Sequence, residues 1–271
     1  MGSSGLQRSE RLDAIERQVL SEGSVQLADL AEEFGVSIMT IHRDLDSLQK
    51  RGAIRRARGL ATALSSVVLE SDMRYRVGHA VAAKKAVAAE AVKLVEPGQA
   101  VMLDDSSTAA LMAEPVSAIE QTTVITNSAI LLSTVVSTGT RFVSLGGEYQ
   151  ARYQAYGGLI TERNICNLNP HIVFMSATAV QGAVAFHPDE DMVRVKRAML
   201  DTGGMHVLLV DSRKFGGEAL HRVADLSDFD YVITDDGMDP QSAANLREKR
   251  VNLVLASTKN GGEADTHPLD N

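Results

Sequence analysis

One cysteine, Cys166, stands in a chain of 271 residues. It forms neither an internal disulfide nor a cysteine metal cluster, so the chain needs no oxidising compartment. The seven histidines are scattered without ligand spacing, so no metal and no cofactor are expected. No apolar run approaches the ~20 residues that a membrane-spanning helix requires. The opening stretch, MGSSGLQRSER, lacks the apolar core of a signal peptide, and Gly2 to Gly5 read as a flexible native end or as a foreign remnant. The cytoplasm is the expected location.

A surplus of positive charge is missing as well, since the net charge is −8. Taken globally, that argues against a nucleic-acid binder, but the distribution reverses the argument. Residues 1–60 carry nine Lys and Arg against nine Asp and Glu, so the whole excess of acid falls on residues 61–271. Between positions 42 and 59, Arg43, Lys50, Arg51, Arg55, Arg56 and Arg58 face only Asp44 and Asp46. The content, 44% hydrophobic and 23% charged, is that of a globular protein, and the length suits two domains.

The first domain is expected over residues 6–62. Ser9 is placed to cap a helix with Leu12, Ile15 and Val19 on one face, and Gly23 to end it. Val25 to Leu27 reads as a short bridge. Leu27, Leu30, Ala31 and Phe34 then make one apolar stripe, and Gly35 turns the chain. Ser37 is an N-cap for the next helix, in which Ile38, Ile41, Leu45 and Leu48 are expected to face inward. Met39, Arg43, Asp46 and Lys50 point the other way, with Thr40 and His42 at the flanks. Two short helices, a Gly turn and a basic strand-like run are how a winged helix-turn-helix looks in sequence.

Such a face belongs in a major groove. Arg43 is the leading candidate, because its fork pairs with guanine O6 and N7 or clamps a phosphate; its bland role is as an i, i+3 partner of Asp46. Met39 and His42 are weaker candidates, an exposed Met serving equally to pack on another subunit. The run from Ala53 to Arg58 suits a wing hairpin, with Arg55, Arg56 and Arg58 on the phosphate backbone. A basic linker is the plainer alternative.

GVSIMTIHRDLDSLQKRGAIRRARGLA resembles the DNA-binding segment of the DeoR family of bacterial transcription regulators. The resemblance covers Val36, Ser37, Thr40, Ile41, Arg43, Asp44, Leu45, Leu48, Gly52, Ile54, Arg56, Gly59 and Ala61. His42, Arg58 and Leu60 depart from the family pattern. It implies operator DNA as partner, contacted by Ser37, Met39, Thr40, His42, Arg43, Lys50, Arg55, Arg56 and Arg58.

Residues 63–80 show no clear period and read as a linker. From 81 to 257 strand-like runs alternate with helical ones, and a polar tail over 258–271 reads as disordered. Strands are expected at Ala100 to Leu103, Thr123 to Ile125, Arg141 to Leu145, Ile172 to Met175, His206 to Val210, Tyr231 to Thr234 and Val251 to Leu255. A helix is expected over Glu190 to Leu200, and another opened by Asp239 and Pro240. The fold class is α/β, a mostly parallel sheet covered on both faces, in which ligands bind beyond the carboxyl ends of the strands. Polar clusters stand there: Asp104, Asp105, Ser106, Ser107 and Thr108; Thr126 with Asn127; Gly146 with Gly147; and Lys214. Taken singly, each reads as a helix cap or a tight turn. Four at successive strand ends read as a pocket that favours an anion.

This larger part is similar to the DeoR sensor domain, whose fold is shared with ribose-5-phosphate isomerase and glucosamine-6-phosphate deaminase. The resemblance matches Asp104 to Thr108, Thr126 to Ser128, Gly146 to Gly147, Val193 to Met199 with Lys196, and Asp211 to Gly216. It implies a phosphorylated sugar or related metabolite as effector, and a homo-oligomer. Ser106, Ser176 and Thr178 stand where the family places glycine-type residues. The expected function is a transcription regulator, a repressor in the first instance, of carbohydrate metabolism. The alternative is a sugar-phosphate isomerase or deaminase with an accessory DNA-binding module, in which Asp104, Asp105 and Glu190 would supply acid and base. A dinucleotide-dependent enzyme is disfavoured, because no G-x-G-x-x-G follows the first strand of the larger part.

Overall fold

The computed structural model describes residues 8–22, 24–50, 54–57, 59–63 and 72–259. They fall into two compact units, Met1–His79 and Ala80–Asn271.

The smaller unit contains α1 (Arg8–Glu22), β1 (Ser24–Gln26), α2 (Leu27–Glu33), α3 (Ile38–Lys50), β2 (Ile54–Ala57), β3 (Leu60–Ala63) and α4 (Met73–Gly78). Its core is a small apolar cluster. Leu12, Ile15 and Val19 of α1 meet Leu27 and Leu30 of α2, Ile41, Leu45 and Leu48 of α3, and Ile54 and Ala61 of the wing. Gly35 takes φ +61° between α2 and α3, a left-handed turn at which a side chain would be strained. The wing is a hairpin of β2 and β3, with Gly59 at φ +82°.

Four details depart from the sequence reading. Helix α1 is already formed at Arg8, so Ser9 lies inside it rather than at its cap. The bridge at Val25 is a strand, because β1 completes the wing sheet in the order β1-β3-β2, pairing Val25 with Ala61. Ile38 is 48% exposed instead of inward-facing, since the helical stripe carries it past the end of the core. Part of the expected linker is helical: α4 buries Met73 and Tyr75. Tyr75 stacks on His79 at 3.6 Å, and His79 Nε2 lies 2.7 Å from Glu16 Oε1 of α1, which ties the end of this unit to its first helix. Gly23, Gly52 and Ala53 lie outside the described residues, as does nearly all of the expected tail.

The larger unit is built on seven parallel strands: β4 (Ala100–Leu103), β5 (Thr123–Thr126), β6 (Arg141–Ser144), β9 (Ile172–Met175), β12 (Met205–Leu209), β14 (Tyr231–Asp235) and β15 (Leu253–Ala256). Every strand expected from the sequence is present, to within one or two residues at each end. Their spatial order is β15-β14-β12-β9-β4-β5-β6. Alternate residues feed opposite faces, as the strand period requires. Val101, Leu103, Val124, Phe174, Val207 and Leu209 join one cluster with α5 (Val81–Val92), α6 (Ser107–Ala110), α7 (Ala113–Ser117) and α8 (Ala129–Val136). Met102, Ile125, Val173, Met175 and Leu208 join the other, with α9 (Gly158–Cys166), α10 (Glu190–Leu200) and α11 (Pro240–Glu248). Helices on both faces bury both sides of a parallel sheet.

Two smaller sheets were not read from the sequence. β7 (Glu148–Gln150) and β8 (Ala155–Gly157) form a hairpin, and β10 (Ala179–Gln181), β11 (Val184–His187) and β13 (His221–Asp225) form an antiparallel sheet. Strands of three to five residues show too little alternation to be distinguished from loops.

Candidate functional site

The chain order of the large sheet has one reversal. From β4 the chain moves outward to β5 and β6, then returns to β9 on the other side of β4 and continues to β12, β14 and β15. Between β4 and β9, therefore, two connections leave in opposite directions, the place at which open α/β sheets bind their ligands. Asp104 follows β4 and Ser176 follows β9. The Ser176 N–H donates to Asp104 Oδ2 at 2.7 Å, and the Ser106 N–H donates to Asp104 Oδ1 at 2.9 Å.

The cluster at this reversal is charged and buried. Lys196 Nζ lies 2.6 Å from Asp104 Oδ2 and 3.6 Å from Asp105 Oδ1; Lys196 is 3% exposed and Asp104 0%. Lys196 comes from the inward side of α10, whose N-cap Asp189 accepts from the Met192 N–H. Lys214 is also buried, donating to the Ala177 carbonyl at 2.7 Å and lying 3.4 Å from Ser176 Oγ. A lysine ammonium out of water is expensive unless its protons are taken up, and these acceptors do that.

The neighbouring strand ends supply polar atoms with open valences. Asn127 donates through Nδ2 to the Tyr156 carbonyl at 3.0 Å, while its Oδ1 is buried without a hydrogen-bond partner. Thr108 Oγ1, Ser128 Oγ and Thr234 Oγ1 are likewise buried and unpartnered. Ser106 caps α6 by accepting from the Ala109 N–H at 3.0 Å. Ser107 and Thr126 are buried, and Thr126 Oγ1 accepts from the Ser128 N–H at 3.0 Å. Such atoms cost free energy unless a water or ligand completes them. Gly147 takes φ +118°, and a Cβ there would clash with Thr161 Oγ1. Thr161 in turn donates to the carbonyls of Gly146 and Gly157. The Gly146–Gly147 turn is thus clamped by a residue that sequence reading had not singled out, fourteen positions downstream of Gly147, where no local signal could point to it.

Asp104, Asp105 and Lys196 are brought into one cluster, and Ser176 links Asp104 to Lys214. Glu190 is not part of it: it is exposed in the first turn of α10. Asp211 is legible in the sequence only as part of a motif. It is 1% exposed, holds Arg213 at 3.0 Å through Oδ1, and leaves Oδ2 without a hydrogen-bond partner.

In the smaller unit the outward face of α3 is as the helical period gives it. Arg43, Asp46 and Lys50 are exposed and Met39 is 61% exposed, with Thr40 and His42 half-buried. Ser37 Oγ accepts from the Thr40 N–H at 3.2 Å and lies 2.9 Å from Thr40 Oγ1, so the N-cap is formed. Among the described residues Arg43 and Asp46 form no ion pair with each other. The helix is held in place instead by Asp44. That residue is 1% exposed and meets Arg11 at 2.7 Å and Arg8 at 3.4 Å, both from α1. Arg55 is exposed on β2; Arg58 and the side chain of Arg56 lie outside the described residues.

Residues 11–67 match the DeoR-like helix-turn-helix domain family, and residues 79–236 match the DeoR C terminal sensor domain family. The uncharacterised HTH-type transcriptional regulator YulB of Bacillus subtilis is 31% identical, over 94% of this chain and 99% of its own. A lactose phosphotransferase system repressor of Staphylococcus epidermidis is 27% identical, over 85% and 93%. An L-fucose operon activator of Haemophilus influenzae is 28% identical, over 83% and 91%. Among solved structures, ribose 5-phosphate isomerase A of Methanocaldococcus jannaschii aligns with a TM-score of 0.36 at 21% identity, covering 49% of this chain and 53% of that one.

Proposed function

This chain belongs to the DeoR family of transcription regulators, and from that premise we propose that it is a repressor whose larger unit binds a phosphorylated sugar or a related metabolite. It is a DNA-binding regulator rather than an isomerase or deaminase, so the enzymatic alternative is not retained. Names among the relatives, a lactose phosphotransferase system repressor and an L-fucose operon activator, support a role in sugar metabolism.

The observation that carries the effector half is the buried Asp104–Lys196 pair at the reversal of strand order, together with the unpartnered oxygens of Thr108 after β4 and of Asn127 and Ser128 after the adjoining β5. Hydroxyl groups of a sugar complete Asn127, Thr108 and Ser128, the backbone around Gly146 and Gly147 gives it a close approach, and Lys214 favours its anion. Asp104, Asp105, Ser106, Ser107, Thr126 and Lys196 frame that pocket; Glu190 stands at its edge or outside it. On the DNA side, Ser37, Met39, Thr40, His42, Arg43 and Lys50 present the reading face of α3, and Arg55, Arg56 and Arg58 the wing. Regulation requires the effector to favour the state with weak DNA affinity, and a coupling of ~1–3 kcal/mol is typical. A paired operator calls for a homo-oligomer working in the cytoplasm.

Two measurements test this. In a thermal-shift panel, at least one pentose or hexose phosphate should raise the melting temperature while its unphosphorylated sugar does not. No response to any phosphate ester removes the effector assignment. In a gel shift, Arg43→Ala should abolish specific binding at unchanged melting temperature; undiminished affinity removes α3 from the groove.

A further inference from the structure

The recognition face has an apolar end. Ile38 and Met39 are 48% and 61% exposed, and they are the two large apolar side chains that stand exposed among the described residues of 8–63. Single exposed apolar residues are ordinary on protein surfaces. An adjacent pair on the first turn of a helix-turn-helix reading helix is another matter, because the N-terminal residues of that helix meet base edges.

The polar groups of the same turn are partly committed. Ser37 Oγ accepts the Thr40 N–H and pairs with Thr40 Oγ1, which holds both hydroxyls at the cap and leaves one O–H proton between them for a groove. Two turns of the core stripe, Ile41 and Leu45, are fully buried, which fixes the direction in which the helix end projects. What this end offers a groove, beyond the two cap hydroxyls, is therefore carbon surface beside the exposed Arg43. In the major groove only the thymine C5-methyl answers to such a surface, the other edges being donors and acceptors.

We propose that Ile38 and Met39 are specificity-determining residues that pack on thymine methyl groups in the major groove, flanking the polar contact made by Arg43. This rests on the reading that places α3 in the groove. Met39 lies one helical turn before Arg43 on the same face, and Ile38 one turn before His42, so the apolar contacts fall on bases adjacent to those reached by the longer polar side chains. Discrimination follows from desolvation: a cytosine or adenine opposite Met39 would lose water from a polar edge with nothing in return.

The test uses the full chain and duplexes enriched from a random double-stranded library. Each thymine of an enriched duplex is replaced singly by deoxyuridine, which deletes only the methyl group. Wild type should lose about fourfold in affinity at one or more positions, the size set by one buried carbon. Met39→Ala or Ile38→Ala should bind the thymine and uracil duplexes equally at its own position, whereas Met39→Leu should keep the preference. Both sites are exposed, so melting temperatures should stay at the wild-type value and confirm folding.

Wild-type affinity that ignores uracil at every position overturns the proposal, as does full uracil sensitivity in both alanine variants. Loss of self-association in Ile38→Ser or Met39→Ser, without uracil sensitivity, would assign the pair to a second copy of the chain and also overturn it. Arg43→Ala separates the layers: if it abolishes binding while uracil is silent, only the methyl contact falls, and if it binds normally, the placing of α3 falls first.

Discussion

The two units hold their charged groups in opposite ways. In the smaller one the residues proposed to act are exposed on α3, and a buried carboxylate, Asp44, works behind them by fastening that helix to Arg11 and Arg8 of α1. In the larger one the charges proposed to act are themselves buried: Asp104, Asp105, Lys196 and Lys214 are all less than one-tenth exposed. An exposed reader can be changed at little cost to the fold, because water replaces its partner. A buried pair cannot, because removing one member strands the other in a medium that solvates it poorly. Function and stability should therefore separate in the first unit and stay joined in the second.

The sharpest way to break this comparison is Lys196→Met. It removes the ammonium 2.6 Å from Asp104 and leaves that carboxylate with only the N–H groups of Ser106 and Ser176. A loss of about 3–5 kcal/mol in chemical denaturation of the larger unit is expected, together with loss of effector response. A variant with wild-type stability would show that the pair is dispensable to the fold.

Gly147→Ala comes next. At φ +118° an L side chain is strained, and the new Cβ would meet Thr161 Oγ1 and the Gly157 carbonyl inside contact distance. Once the turn shifts to relieve the contact, the remaining backbone strain costs about 1–3 kcal/mol, so denaturation should show a smaller loss than in Lys196→Met. Because Thr161 also holds Gly146, the response to sugar phosphates should fall with it. An unshifted denaturation midpoint would mean that this turn relaxes freely.

The same contrast explains what the sequence could and could not show. Arg43, Lys50 and Met39 were legible because the 3.6-residue period alone decides which side of α3 meets solvent. Ile38 was misjudged by the same rule, which knows the direction of a side chain but not where a small core ends. In the larger unit the strands were legible as short apolar runs, and the polar ends of β4 and β5 as punctuation. The pairing of those ends was not. Lys196 reaches Asp104 from ninety-two positions away, and Ser176 from seventy-two, so only the sheet order brings them together. Glu190 looks equal to Lys196 in sequence, yet it stands exposed in the first turn of α10 while Lys196 lies on the buried side.

Asp44→Ala tests the comparison from the other unit. Its carboxylate is 1% exposed, but Arg11 retains 13% side-chain exposure and Arg8 64%, so water can reach the arginines left behind. The cost should be about 1–3 kcal/mol, below that of Lys196→Met, and operator affinity should fall because α3 is less firmly held. Equal destabilisation by the two variants would erase the distinction between a frame that is open to solvent and one that is closed.

The smallest effect is expected where the larger unit has an exposed charge of its own. Asp236 follows β14, and its carboxyl is held below the usual carboxylate range, first by the Thr258 hydroxyl at 2.7 Å and then by the Thr258 N–H at 3.1 Å. A carboxyl whose folded value is depressed adds stability above its unfolded pKa, near 4, and that contribution disappears as pH falls through the folded value. Thr258→Val deletes the hydroxyl and keeps the N–H, so the Asp236 titration, followed by carboxyl NMR, should move upward toward the ordinary range without reaching it. Near neutral pH both forms are ionised, and since the carboxylate is open to solvent the melting temperature there should barely change. An unmoved titration would deny the hydroxyl its role. A large loss of stability at neutral pH would show that even the exposed charges of this unit belong to its frame, and the contrast with Arg43 would then have to be drawn from the unit itself and not from burial.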